Sequence, residues 1–481
     1  MIRGRDIPLL ILTAVALGAQ PSTVSALHGK RQPRLLIRNA MVVEGVGTPA
    51  SGPRDILIEG NRIVQVGRVR EPVEAEIDGT GRYVLPGFVN MHGHLHRDRG
   101  GQAMDVNYVL KLWLACGITT VRDVGSDFEK SKRLRAAGAA GEIAAPRIFL
   151  YPFFGGAKTP EEARQKIRDL GAGGADGVKF LGVYRDLFDA AAAELAAAKL
   201  GRAHHTGVEE TNAWDDIRHG SRGAPGLNTI EHWYGIPDAA LADGVQQFPP
   251  SYNYANEVDR FRAAGRLWRE TDPARLTKVL SAMVEARLAW DPTLSIYEAS
   301  RDVSRARNQP WFKEYLHPAL EKFFEPSLES HGSYFFNWST EDEIYWKENY
   351  RLWMSALRQF GRLGGVITTG EDAGYIYQMY GVGLLRELEL QQEAGFHPLQ
   401  VVTHATHNGA LALGRQQEFG RVRAGWLADL IVVNGNPLAN FKILYPVGLD
   451  GGKLEWTIKD GIPYHAPALL DDVKRMVRAL R

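Results

Sequence analysis

The sequence predicts an α/β protein, a (β/α)8 TIM barrel that carries a small β-sandwich built from both chain ends. Strand-and-turn text stands at each end of the chain. Between the ends, from about residue 86 to 414, eight apolar strand candidates alternate with helical stretches. At 481 residues and 44% apolar content the chain is too apolar for disorder and long enough for a large core.

The elements follow in order. Arg3 and Arg5 precede an apolar run over 7–17, and Val24-Ser25-Ala26 supplies small residues for cleavage. Residues 1–26 therefore read as an export signal peptide, which makes the protein secreted, to the periplasm or the exterior. The run is short for a bilayer span, so no stable membrane insertion is expected after cleavage. Residues 34–85 and 416–466 form the two parts of the sandwich. Alternating strands there flank Gly60-Asn61 and Asp460-Gly461, which are hairpin turn pairs. The barrel takes 86–415, with strands expected at 88–94, 118–123, 147–151, 177–181, 201–205, 229–233, 287–293 and 366–372.

That barrel is longer than the ~250 residues typical of the fold, and the excess lies between its sixth and eighth strands. An insertion over about 298–362 accounts for it, with thirteen aromatic residues from Trp311 to Trp353. Two readings stay open: a helical subdomain packed on itself, and an aromatic lid over the barrel mouth. At 467–481, Leu469, Leu470, Val473, Met476, Val477 and Leu480 recur at helical spacing, which predicts an amphipathic helix docked on the barrel.

The charge balance, 57 basic against 56 acidic side chains, gives no electrostatic reason to expect nucleic acid as a partner. A single cysteine, Cys116, excludes an internal disulfide and any multi-cysteine metal site. A metal would fall to histidines and carboxylates. A barrel gathers its chemistry at the C-terminal strand ends, and there stand His92 and His94, Lys179, His204 or His205, His232 and Asp372. Residues two apart on a strand share a side, so His92 and His94 can serve one ion.

These residues sit in text that resembles the amidohydrolase superfamily, in its prolidase-like and imidazolonepropionase-like branch of metal-dependent hydrolases. The resemblance runs through 84–94, 117–125, 174–179, 229–232, 370–374, 405–408 and 425–430. It implies a binuclear site, most often zinc: His92, His94 and Asp372 on one ion, His204 and His232 on the other, and Lys179 bridging as a carboxylated (CO2-derived carbamate) lysine. His204 is preferred to the alternative ligand His205 because Gly207 follows at the family spacing. Around the site, Trp233 and Tyr234 read as substrate contacts and Asp123 as structural. His96 falls behind the ligands or in solvent, and His404 and His407 are ordinary helix residues. Glu371 replaces the threonine usual before the strand-8 aspartate.

What the resemblance implies is an exported hydrolase that cleaves an amide C–N bond of a small substrate through a metal-bridging hydroxide, with Asp372 moving the proton. The aromatic insertion argues for a bulky or aromatic substrate group, as in an N-acyl amino acid, dipeptide or aryl amide. Glycine-rich text is lacking after Lys179, so dipeptide specificity is not carried over. The alternatives are a one-metal deaminase or cyclic-amide hydrolase and, behind them, a lactone or phosphotriester hydrolase or a non-catalytic scaffold. The expected partner is the small-molecule substrate, with homo-oligomerisation left open.

Overall fold

The computed structural model describes residues 22–206, 211–246, 250–253, 256–327, 335, 338–448 and 450–481. Most of the expected signal segment, along with Gly207, Tyr334 and Phe336, lies outside the described residues.

The strands, in chain order, are β1 (Arg34–Val42), β2 (Ser51–Glu59), β3 (Arg62–Gly67), β4 (Ala75–Asp78), β5 (Arg82–Pro86), β6 (Phe88–Gly93), β7 (Asp98–Arg99), β8 (Gln102–Ala103), β9 (Ile118–Val124), β10 (Arg147–Tyr151), β11 (Gly177–Leu181), β12 (Gly201–His205), β13 (Thr229–Glu231), β14 (Ala289–Asp291), β15 (Val366–Ile367), β16 (Leu430–Asn434), β17 (Leu454–Lys459) and β18 (Ile462–His465).

Both chain ends meet in one eight-stranded sheet, ordered β18-β17-β16-β5-β1-β2-β3, with β4 also on β1. The join is β5 on β16, Val84 opposite Val432. Alternating residues of both ends share a core that includes Leu35, Ile37, Ile58, Leu430 and Ile458. The expected turns form as read. Glu59 pairs with Arg62 around Gly60-Asn61, and Lys459 pairs with Ile462 around Asp460-Gly461, where both turn residues have positive φ. Gly461 has a second reason to lack a side chain, since a Cβ there would lie 2.1 Å from the Gly60 carbonyl oxygen.

Eight parallel strands make up the middle of the chain, in two sheets ordered β10-β9-β6 and β11-β12-β13-β14-β15. Hydrogen bonds cross both seams. The Phe154 amide donates to the Lys179 carbonyl (2.8 Å), and the Asp372 amide donates to the His92 carbonyl (2.9 Å). Helices such as Val106–Ala115 and Arg185–Ala198 join successive strands and bury apolar faces on them. The sixth, seventh and eighth strands stop short of expectation, at Glu231, Asp291 and Ile367, and directly after the sixth His232 takes a positive φ of 59° that leaves the extended conformation.

The long excess divides. Residues 298–323 form four short helices, whereas Thr340–Arg362 is a 23-residue helix that also connects β14 to β15. Trp346, Tyr350 and Trp353 on it are fully buried, so these aromatics serve the self-packed reading. The helix Ala466–Arg478 docks by Leu469, Val473 and Val477, and its Asp472 pairs with Lys111 of Val106–Ala115 at 2.6 Å. No helix among the described residues is long and apolar enough to cross a membrane.

Candidate metal centre

Side-chain direction follows from register. Lys179 pairs with Ala203 and Ala203 with Thr229, so these three share one face and Phe180, His204 and Ile230 the other. At the end of β6, Gly93 separates two imidazoles because a Cβ there would come within 2.5 Å of Val121.

Four strand ends converge. His92 Nε2 lies 3.4 Å from Lys179 Nζ and 3.7 Å from Asp372 Oδ1. His94 Nε2 is 2.9 Å from the same oxygen, and His232 Nε2 is 3.8 Å from Asp372 Oδ2. The far nitrogens are held from behind: His92 Nδ1 is 2.5 Å from Glu231 Oε2, and His232 Nδ1 is 2.5 Å from Thr293 Oγ1. Burial pushes His92 and His232 well below the ordinary imidazole range, with Lys179 and His205 respectively adding to it. Both rings are thus neutral, with lone pairs available. Burial also lowers Lys179. Asp372 resists the upward pull of burial and lies below its ordinary value, with the His94 hydrogen bond favouring the carboxylate.

The structure reverses the preference on the fifth strand. His204 points into the outer layer, where its Nδ1 is 2.8 Å from Asp216 and its ring stacks 4.5 Å from Phe188. His205 faces inward, its ring 4.7 Å from both His232 and Tyr234. Trp233 is corrected too. It is wholly buried among Trp268, Trp346 and Trp353, which makes it core, whereas half-buried Tyr234 stacks on His205.

The amidohydrolase family model matches residues 357–450. A 5-methylthioadenosine/S-adenosylhomocysteine deaminase of Thermococcus kodakarensis is 46% identical over 61 residues, which is 12% of this chain and 14% of that protein. Among solved structures, a Xaa-Pro dipeptidase with bound methionine superposes with a TM-score of 0.64 at 20% identity, over 90% of this chain and 100% of that one. Bottromycin amidohydrolase gives 0.66 at 17% identity, over 95% and 93%. The match to the amidohydrolase family model is thus confined to residues 357–450, and the curated relatives are covered over less than a fifth of their length. The chain's structural neighbours imply a TIM-barrel-like fold.

The donor set at this centre fits divalent metal. Nitrogen and oxygen atoms of His92, His232 and Asp372 lie within 4.8 Å of one another, and neutral imidazole with carboxylate is a donor set for zinc and its neighbours. A second acidic group, His92 with Glu231 and Asp291, does not need an ion, because the Arg122 guanidinium already donates to Glu231 at 2.7 Å.

Glu231, Arg122 and Thr293 are site residues that the sequence reading passed over. For Glu231 and Arg122 the available signal is a charged letter inside an otherwise apolar strand. Glu371 points away from the ligands. Its carboxyl accepts from Trp113 Nε1 and from the Gly381 and Leu384 amides at the start of helix Val382–Glu393, and burial raises it to about 8. Asp123 accepts from the Ser126 hydroxyl, whose oxygen takes the Leu95 amide, so it fastens the loop after β6. His96 stacks 5.0 Å from His94. His404 binds Gln391 within its helical layer.

Proposed function

We propose that this protein is an amidohydrolase: an exported, metal-dependent hydrolase that cleaves an amide C–N bond of a small substrate with a bulky or aromatic group. The observation that carries the reading is the convergence of the His92, His94 and His232 Nε2 atoms on the Asp372 carboxylate, beside the Lys179 amine. Support comes from the family match and from neighbours named as amidohydrolase and dipeptidase. The matched deaminase is covered over only 14% of its length, so its activity is not transferred.

In this reading His92, His94 and Asp372 hold one divalent ion, and His205, His232 and the carbamate of Lys179 share in the second. When bound, such ions supply Lewis acidity and activation of water at neutral pH. The chain supplies the rest. Asp372, which lies below its ordinary value despite its burial and is hydrogen-bonded to His94 at 2.9 Å, takes the proton of the attacking water and returns it to the leaving nitrogen. Glu231 and Thr293 hold His92 and His232 in the tautomers that present Nε2. Burial favours the free amine of Lys179, the form that adds to CO2 and loses a proton as the N–C bond forms. Tyr234, stacked on His205, and Tyr297, 5.6 Å from His232, offer aromatic walls for the substrate. The accompanying fold reading is a (β/α)8 barrel closed through its two seams, with the terminal sheet folded as a β-sandwich. The export reading rests on the text of residues 1–26.

Metal analysis with native intact mass tests the centre. Two ions per chain and a lysine heavier by one CO2 are expected. One ion and an unmodified Lys179 would instead favour the one-metal deaminase or cyclic-amide hydrolase.

A further inference from the structure

The long helix Thr340–Arg362 has two unlike faces. Trp346, Tyr350, Trp353 and Leu357 are fully buried on one. On the other, Lys347, Arg351, Ser355, Arg358 and Arg362 are exposed and recur every three or four residues, so they stand in one row. Among the described residues none of these four cations pairs with a carboxylate, in a chain whose charges otherwise balance. A row of exposed cations is by itself a solvated face. Here a cleft of about 290 Å³ opens beside its middle, where Arg351, Ser355 and Arg358 meet Arg301 and Glu393.

The lining is held in place. Arg301 donates to both Glu393 oxygens, at 2.6 and 3.2 Å, and its guanidinium lies 4.6 Å from the Tyr350 ring. Arg358 is seated over Gly395, where a Cβ would come within 2.9 Å of the guanidinium carbon. Three guanidinium groups against one carboxylate leave the cleft two positive charges in excess. We propose that this cleft binds a soluble phosphate monoester, gripped by Arg351 and Arg358 with the Ser355 hydroxyl between them. A monoester carries close to two negative charges at neutral pH, and guanidinium forks match its oxygens in pairs. The opposite face of the helix packs on Trp233, the neighbour of His232. The site is therefore separate from the metal centre and stands whether or not the hydrolase reading holds.

The test titrates glycerol 3-phosphate into the metal-supplied full chain and follows the heat. The cleft should take one equivalent with a Kd of roughly 0.1–1 mM, as two charge-assisted hydrogen bonds support. Arg351→Gln and Arg358→Gln should each weaken that equivalent about tenfold, whereas any phosphate held at the metal centre is indifferent to both. Glu393→Gln should tighten it several-fold, because a like charge beside the anion is removed and Arg301 is released to it. A poorly folded variant does not gain affinity, so this arm is independent of the losses. Lys347→Gln and Arg362→Gln, which lie in the row but outside the cleft, should leave the affinity unchanged. No binding by the wild type, an affinity that survives both arginine substitutions, or one that Glu393→Gln fails to raise would overturn the proposal. So would binding confined to vesicles of phosphatidic acid, which would make the whole row a membrane contact.

Discussion

His92 Nδ1 lies 2.5 Å from Glu231 Oε2, with both side chains fully buried, and the other Glu231 oxygen takes the Arg122 guanidinium at 2.7 Å. The carboxylate is thus shared between a fixed cation and the back of a ligand imidazole, which leaves His92 Nε2 to face Lys179 and Asp372. Carboxylates placed behind ligand histidines typically contribute ten- to a hundredfold to metal affinity. Glu231→Gln is expected to weaken metal binding by about that factor in a chelator competition. Unchanged affinity would show that Glu231 serves only Arg122.

The two histidines of β12 should separate by function. His205→Ala is expected to lower the bound-metal ratio while the fold persists. His204→Ala should keep its metal and lose about 1–3 kcal/mol of stability, because Asp216 is left a buried acceptor short of a donor. Metal analysis beside denaturant titration checks both, and metal lost in His204→Ala but not in His205→Ala would restore the original preference.

Trp233 and Tyr234 are adjacent in sequence and opposite in expected effect. Trp233→Ala opens a void among Trp268, Trp346 and Trp353, which should cost about 3–5 kcal/mol of stability. Tyr234→Ala should instead raise KM with a small change in melting temperature. Steady-state kinetics with thermal melts on the two variants distinguish core from contact.

His404 sets a pH response away from the metal. Burial alone drives its imidazole from 6.5 down to about 3, with Gln391 as its 2.8 Å partner. The unfolded chain then binds more protons than the folded one between those values. Its contribution is whole above pH 6.5 and is lost as the pH falls through about 3. His404→Gln should flatten the fall of melting temperature across that interval, and an unaltered slope would refute the assignment.

Much of this was legible in the sequence, for identifiable reasons. The parallel strands are apolar on both faces and bounded by turns, so 147–151, 177–181 and 201–205 were read to the residue. Histidine and aspartate at strand ends stand out against such text. His205 was misjudged because a family spacing to Gly207 was weighed, whereas side-chain direction depends on cross-strand register, here Lys179 opposite Ala203. Glu231 and Arg122 were missed because their pairing spans more than a hundred residues. The early end of the sixth strand comes from the positive φ at His232, a local strain that residue type does not announce.

The most direct test of the central claim is amine release from an N-acyl amino acid by the metal-supplied protein, before and after chelation. Release should stop on chelation, return with a divalent cation and be absent in Asp372→Asn. Release indifferent to chelation, or turnover of lactones and phosphotriesters with no amide cleaved, would contradict a metal-dependent C–N hydrolase.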